Sequence, residues 1–311
     1  MKLESQSFPF RLLTASFCGG AEGRQQDAEM RVPSIRGHLR DWHRQLVGVP
    51  RADIVWGSTD DNTGHSSKIA VTVDKPDNTV ASCRARLFPQ VEFTAADERR
   101  LSRLRRADPG RNELAQKLKK SENAAPALPK DTSFVLSLTR LPECNAPEWE
   151  AAQRAVKLWL LVGALGLRSS RAAGSVWPLN PPEPAWVPQT EQQLADTLSQ
   201  IGFDPSQVRL MDAVPGDDED KLRECASNTV EDRTYFGCVN PRDPSPVRFK
   251  VTRLNSQPRL LVVVSKTVLR DRVRSKYSSL PPFITAAHAR LSGKPLGQRQ
   301  WLPLPPPNVT S

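Results

Sequence analysis

Apolar residues recur along this chain at two different spacings, which predict a mixture of helices and strands. A narrow stripe at about 100° per residue, typical of an amphipathic helix, consists of Ile35, Leu39, Trp42 and Leu46. Residues 67–73 instead alternate apolar and polar positions with β-branched side chains, as in a half-buried strand. Residues 147–165 are apolar on nearly all sides, which predicts a helix packed deeply against a sheet.

The order of these elements predicts the fold of the first half. Further strands are predicted at residues 8–13, 80–88, 132–139 and 175–177. The main elements run strand, helix, strand, strand, helix, strand, the order of a ferredoxin-like or RNA-recognition-motif domain, whose antiparallel sheet leaves one face free for ligands. A basic, helix-prone segment at 97–120 and a loose linker at 121–130 interrupt this order, so we treat 97–130 as an insertion.

The second half has weaker patterns. Prolines concentrated in 178–188 predict an extended connection. Beyond it we predict helices at 191–202 and 267–277, an acidic loop at 212–220 and a strand pair at 247–254 and 259–265 around a turn at 255–258. The predicted division is a first domain at 1–177, a linker at 178–190, a second, diverged ferredoxin-like domain at 191–291 and a proline-rich tail at 292–311.

Charge and cysteine content indicate the kind of partner and the cellular compartment. The 311 residues carry 44 Lys and Arg against 34 Asp and Glu, and this net charge of +10 favours an anionic partner, nucleic acid or an acidic membrane. The acidic segment 212–232 and the basic segment 242–276 suggest surfaces with separate partners. Five cysteines without a CxxC pair favour a reducing compartment. The longest apolar run, 158–167, is too short to span a bilayer, so we expect a cytoplasmic protein.

The first candidate site is the helix that carries the apolar stripe. Its opposite side presents Arg36, Arg40 and Arg44. Pro33 and Ser34 predict the helix start, because proline tolerates the first turn and the serine hydroxyl can accept a hydrogen bond from a backbone amide. Arginines beside a helix N-terminus make a phosphate site. The alternative is an ordinary amphipathic helix with a solvated basic face.

The second candidate site is the turn at 163–175, directly after the buried helix. Its glycines let a sugar-phosphate chain approach the backbone closely, and Arg168 and Arg171 can bind phosphates. Ser169, Ser170 and Ser175 add hydrogen-bond donors. The alternative is a helix C-cap and tight turn with incidental arginines.

Together these motifs resemble the RAMP superfamily of CRISPR effector proteins, and within it the family of first subunits of the type III-B Cmr complex. Four motifs carry the resemblance: Gly19 and Gly20 followed by 33–42, the Trp56-Gly57-Ser58 step before a strand, the loop 164–175, and the strand entry 244–250. The loop departs from the family pattern, because alanines stand where two glycines and an aromatic residue are expected. They are Ala164, Ala172 and Ala173.

The resemblance implies tandem ferredoxin-like domains of α+β class and a non-catalytic, RNA-binding subunit of a type III-B RNA-guided effector complex in antiviral defence. Its partners would be guide RNA near the 3′ end, target RNA and other subunits of the complex, with no cofactor, metal, membrane or small-molecule substrate. The residues assigned to RNA binding are Gly19, Gly20, Arg31, Ser34, Arg36, Gly37, Arg40, Arg44, Lys68, Arg168, Ser169, Ser170, Arg171, Gly174 and Ser175.

Two other functions stay open at this point. One is a metal-independent endoribonuclease of the same superfamily, for guide processing or target cleavage, with His43 as the candidate general base. The alternative for His43 is a polar residue on the basic helix face. The other is a basic peripheral membrane or scaffold protein. Trp56 is a candidate for stacking on a base, although a core tryptophan is the better explanation.

Overall fold

The computed structural model describes the greater part of the chain. The described residues are 3–20, 23–58, 64–74, 83–87, 93–104, 108–179, 186–212, 214–228, 245–265, 282, 285–286 and 299–308. None of the helices within them is long and apolar enough to cross a membrane.

The first half is built on a four-stranded antiparallel sheet. Its elements are β1 (Ser5–Leu12), β2 (Gly19–Gly20), β3 (Gly23–Ala28), α1 (Val32–Val47), α2 (Val49–Trp56), β4 (Ile69–Asp74), β5 (Cys83–Arg86), α3 (Ala95–Arg103), α4 (Pro109–Ser121), β6 (Ala124–Ala127), β7 (Ser133–Arg140), α5 (Ala146–Val162) and β8 (Val176–Pro178). The strand order is β4-β7-β1-β8. This is the ferredoxin-like order, so the fold predicted for this half is confirmed.

The insertion is more ordered than its sequence indicates. Helices α3 and α4 form in the basic segment, and a capping box between Thr94 and Asp97 begins α3. The loose linker predicted at 121–130 is wrong, because four of its residues form β6 and pair with β5. Among the residues of α3 and α4, Leu114 alone is buried. The two helices therefore carry an exposed basic surface.

The second half contains another antiparallel sheet. Its elements are α6 (Glu191–Ile201), β9 (Val208–Met211), α7 (Glu219–Asn228), β10 (Val247–Leu254), β11 (Gln257–Val264) and β12 (Trp301–Pro303), in the strand order β10-β11-β9-β12. The predicted strand pair is confirmed, although its turn is shorter: Asn255 and Ser256 make it with φ of 52° and 61°. The predicted helix at 267–277 lies outside the described residues.

Two further expectations for the second half need correction. The acidic stretch is not a loop throughout, because α7 begins at Glu219. The proline-rich tail is not a separate extended segment, since β12 pairs with β9.

The two sheets share one buried apolar cluster, which joins the two halves of the chain. Trp42 of α1 packs edge-on against Phe203, with ring centroids 6.5 Å apart. Lys250 of β10 is fully buried, where its ammonium group donates to the carbonyl oxygen of Leu160 in the last turn of α5. Burial lowers the pKa of Lys250 well below the usual lysine value. The domain boundaries stay a prediction.

Candidate nucleic-acid interface

Helix α1 buries the stripe that its sequence predicts. Ile35, Leu39 and Trp42 are each at most 1 % exposed, and Leu46 packs at the edge of the same cluster. The start of the helix differs from expectation: Arg31 is the N-cap with no side-chain hydrogen bond, and Pro33 lies in the first turn. The predicted capping role of Ser34 is wrong, because this serine lies inside the helix. Arg31 and Ser34 are both exposed at the positive end of the helix.

The three arginines of α1 hold the neighbouring helix α2. Arg36 donates from Nε and Nη2 to the carbonyl oxygen of Trp56, at 3.2 and 2.6 Å. Arg40 donates to the carbonyl oxygen of Gly57 at 3.1 Å. Arg44 binds Asp53 at 2.7 Å. A guanidinium group has five N–H donors, so these contacts leave Arg36 and Arg40 further donors for a ligand. The arginines thus have a structural task that the helical pattern did not reveal.

Two glycines in the candidate set have open space beside them. A methyl group placed on Gly19 or Gly37 would meet no heavy atom of the described residues within 4 Å, and both glycines are exposed. Gly37 lies in the middle of α1 with no positive φ. An internal helical glycine costs about 0.5–1 kcal/mol relative to alanine. The packing of the protein does not explain Gly37, whereas a close approach by an external backbone would.

The turn at 163–175, which we call the second loop, packs against residues 13–17, which follow β1 and lead to Gly19. The amide of Leu167 donates to the carbonyl oxygen of Phe17 at 3.0 Å, and the amide of Leu13 donates to the carbonyl oxygen of Ser175 at 2.8 Å. A methyl group on Gly174 would lie 2.0 Å from the carbonyl oxygen of Leu165. The fold of the second loop therefore requires glycine at position 174, independently of any ligand.

Part of the predicted phosphate-binding set is buried in the loop. Ser175 is fully buried, and its hydroxyl donates to the carbonyl oxygen of Ala172 and accepts from the amide of Val251, both at 2.9 Å. Arg171 is 9 % exposed and lies over the ring of Phe249, 5.9 Å from its centroid. Burial, with a further contribution from Arg168, lowers the pKa of Arg171 to about 9, so the group stays charged at neutral pH.

The tip of the second loop reaches the surface. Arg168, Ser169 and Ser170 are all partly exposed. Arg168 has a φ of 61°, a left-handed conformation that is uncommon for a residue with a side chain. The carbonyl oxygen of Ser170 accepts from the amide of Phe249 at 3.1 Å, so β10 supports the loop from behind. The second half of the chain thereby positions the predicted site of the first half.

Helix α1 and the second loop meet at one small cavity. His38 and Trp42 line it from α1, and Gly163 and Ser169 line it from the loop. Arg248 of β10 also faces this cavity and binds Asp41 at 2.7 Å. Burial, with a further contribution from Arg248, lowers the pKa of His38 to about 4, although Asp41 opposes the shift. The two sites predicted separately are therefore adjacent.

Lys68 lies apart from this group. It binds Glu148 at 2.6 Å and immediately precedes β4, whose first residue pairs with Arg140. The amide of Arg140 donates to the carbonyl oxygen of Glu4, so Lys68 lies beside the N-terminal end of β1. The second loop meets the other end of this strand, about 25 Å away for eight residues at ~3.3 Å each. The structure does not bring Lys68 to the loop.

The outer face of the first sheet has no aromatic platform on its two central strands. Small hydroxyl side chains pair across β1 and β7, Ser5 with Thr139 at 2.8 Å and Ser7 with Ser137 at 2.9 Å. RNA-recognition motifs stack bases on aromatic residues of this face. Within β1 and β7 the aromatic side chains point into the core instead. The loop and helix edge is thus a better candidate surface than the sheet face.

His43 and Trp56 form a buried pair. Each is 1 % exposed, and Nε1 of Trp56 donates to Nδ1 of His43 at 2.7 Å. Burial, with a further contribution from Arg154, lowers the pKa of His43 to about 4, so the ring is neutral at pH 7. The expectations that His43 lies on the basic face and that Trp56 could stack on a base are both wrong. Neither side chain can reach an RNA strand.

The acidic residues near α7 make ion pairs within the protein. Asp217 binds Arg299 at 2.8 Å, and Glu219 binds Arg253 at 2.6 Å. Across the described part of the chain, no group of three or more His, Cys, Asp or Glu side chains could hold a metal ion.

The fold and this surface define a RAMP protein. A model of the RAMP superfamily matches residues 10–177, more than half of the chain, and the chain belongs to this superfamily. Among solved structures, it is similar to Cmr1 from Pyrococcus furiosus in its apo form, with 17% identity and a TM-score of 0.54 over 88% of this chain and 92% of that one. A chain of the type III-B Cmr-beta complex bound to cognate target RNA matches with 11% identity and a TM-score of 0.48, over 85% of this chain and 94% of that one. No curated protein matches.

Proposed function

We propose that this protein is a non-catalytic, RNA-binding subunit of a cytoplasmic type III-B CRISPR effector complex, which binds guide RNA near its 3′ end, target RNA, or both. Membership of the RAMP superfamily and the fold shared with Cmr1 support this proposal. One observation carries it: His38 of α1, which follows the open Gly37, and Ser169 at the partly exposed tip of the second loop line the same small cavity. Backbone amides and arginines there suit phosphates, so binding would depend on salt and little on sequence.

The proposal concerns binding because the candidate general base is buried. His43 accepts a hydrogen bond from Trp56 and has no route to a ribose hydroxyl. We expect purified protein to leave CRISPR repeat RNA intact over hours without added metal. Specific cleavage of that RNA would replace this proposal with the endoribonuclease alternative.

The biological test is to isolate the tagged protein from its host and sequence the RNA that it retains. We expect guides derived from CRISPR repeats, together with other effector subunits. Retention of no repeat-derived RNA would refute the assignment.

The site is tested by Arg168→Ala, measured by filter binding to single-stranded guide RNA at physiological salt. Loss of charged hydrogen bonds of about 1.5–3 kcal/mol predicts at least a tenfold lower affinity. Arg51→Ala is the control, because Arg51 is an exposed arginine of α2 outside the predicted set. Equal affinities for the two variants would exclude the loop tip from the site.

A further inference from the structure

A second cationic site lies behind the second loop. A pocket of about 360 Å³ lies between the paired strands β5 and β6 and helix α7, and we call it the α7 pocket. Its charged lining residues are Arg86, Lys130, Asp220 and Arg223, and its apolar wall includes Ala15 and Ala85. This volume falls in the range of about 300–1,000 Å³ typical of ligand pockets.

Arg223 links this pocket to the second loop. Its Nη2 donates to the carbonyl oxygen of Arg86 at 2.7 Å, and its guanidinium lies 5.0 Å from the ring centroid of Phe17. The carbonyl oxygen of Phe17 in turn accepts from the amide of Leu167, beside Arg168. Burial lowers the pKa of Arg223 to about 10; Asp220 opposes this shift and Arg168 adds to it. The charges of Arg168 and Arg223 are therefore close enough to interact.

The lining of the pocket has more basic than acidic residues. Three basic residues and one acidic residue, Asp220, line it, while Glu219 and Asp131 also lie close enough to Lys130 to raise its pKa. The contact of Asp220 with Lys130 is 3.5 Å long, and the two side chains are 60% and 44% exposed, so this ion pair is weak. Arginine and lysine side chains are the usual ligands of phosphate. A phosphate group would be attracted to Arg223 and Lys130, while Asp220 would oppose its binding.

We propose that the α7 pocket binds one phosphate group of the RNA strand that contacts the second loop, with Arg223 and Lys130 as the cationic contacts. The inference rests on the proposed RNA binding and extends that surface to the second half of the chain. It also gives α7 a role, because this helix, although it lies in the acidic segment, positions the guanidinium group of Arg223 behind the second loop.

Four variants of the full chain test this by filter binding to single-stranded RNA across a salt series. Arg223→Gln and Lys130→Gln should each bind about 5–10-fold more weakly and reduce the salt slope by about one. Asp220→Asn should bind about 2–5-fold more tightly, because it removes the opposing charge. Arg259→Gln is the matched control: Arg259 is also buried and donates to a carbonyl oxygen, that of Met211, but does not line the pocket. It should bind as wild type does.

Inorganic phosphate, added at constant ionic strength in a thermal melt, separates this proposal from the proposed function. Phosphate should raise the Tm of wild type, and at the same concentration it should raise that of Lys130→Gln, whose side chain is partly exposed, clearly less. If phosphate does not raise the Tm of wild type and the three pocket variants bind RNA with wild-type affinity, the proposed phosphate site in the pocket is refuted. A phosphate shift without any RNA effect would assign it to a free phosphate-bearing molecule and overturn the RNA assignment. Absence of RNA binding by wild type, with the phosphate shift intact, would refute the proposed function and leave only the anion site.

Discussion

Gly37 offers a substitution whose effects on stability and on RNA affinity have opposite signs. In the free protein, a side chain at this position meets open space and normal helical backbone. Gly37→Ala should therefore stabilise the protein by about 0.5–1 kcal/mol, since alanine loses less backbone entropy in a helix. Gly37→Gln should do nearly the same, because glutamine is also a good helix former.

RNA binding should respond in the other direction. If a sugar-phosphate backbone lies against α1 at Gly37, a glutamine side chain occupies that space, and we expect at least a tenfold loss of affinity, or about 1.4 kcal/mol. Gly37→Ala should lose less, since a methyl group intrudes less.

Urea unfolding and filter binding measure the two effects on the same samples. Gly110→Gln is the control, because Gly110 is a glycine of α4 and, among the described residues, an added methyl group there would approach Leu104 alone, at 3.8 Å. It should leave RNA affinity unchanged. Wild-type affinity of Gly37→Gln would refute the close approach of RNA to α1 at Gly37.

Two further predictions concern backbone strain and pH. Ala172 adopts a φ of 61°, so Ala172→Gly should stabilise the protein by about 1 kcal/mol in urea unfolding; no gain would show that the alanine is unstrained. The pKa of His43 is about 4 in the folded protein and 6.5 ordinarily, so between these values the unfolded chain binds more protons and stability falls as the pH is lowered. Compared with His43→Gln, wild type should lose up to about 3 kcal/mol more between pH 7 and 4; parallel pH profiles would contradict this assignment.

The sequence predicted those elements in which periodicity and burial agree. The apolar stripe of α1 is buried as predicted, and the strands that flank α1 and α5 form one sheet. Short strands escaped prediction: β6, β9 and β12 have three or four residues each, too few to show a period, and their partners lie far away in sequence. Residues 121–130 looked like a linker for this reason.

The sequence predicted where the residues of the candidate site lie better than it predicted which contacts they make. Wheel geometry placed Arg36 and Arg40 on the polar side of α1, but their hydrogen bonds go to the end of α2, which no helical pattern can show. Arg223 escaped prediction because its neighbours in sequence are acidic. The burial of His43 was not predicted, because it depends on a contact with Trp56, thirteen residues away. Tertiary contacts decide each of these roles.

The glycines of the two motifs fall into two groups, according to the contacts that an added methyl group would make. Gly166 and Gly174 have positive φ and backbone atoms within 3 Å, so the second loop requires them in order to fold. Among the described residues, nothing imposes either constraint on Gly19 or Gly37, so the fold does not require glycine at these two positions. Ala172 retains a left-handed backbone without glycine, and Ala164 does not adopt one. The alanine substitutions therefore leave the shape of the loop intact, and they do not argue against a ligand at its tip.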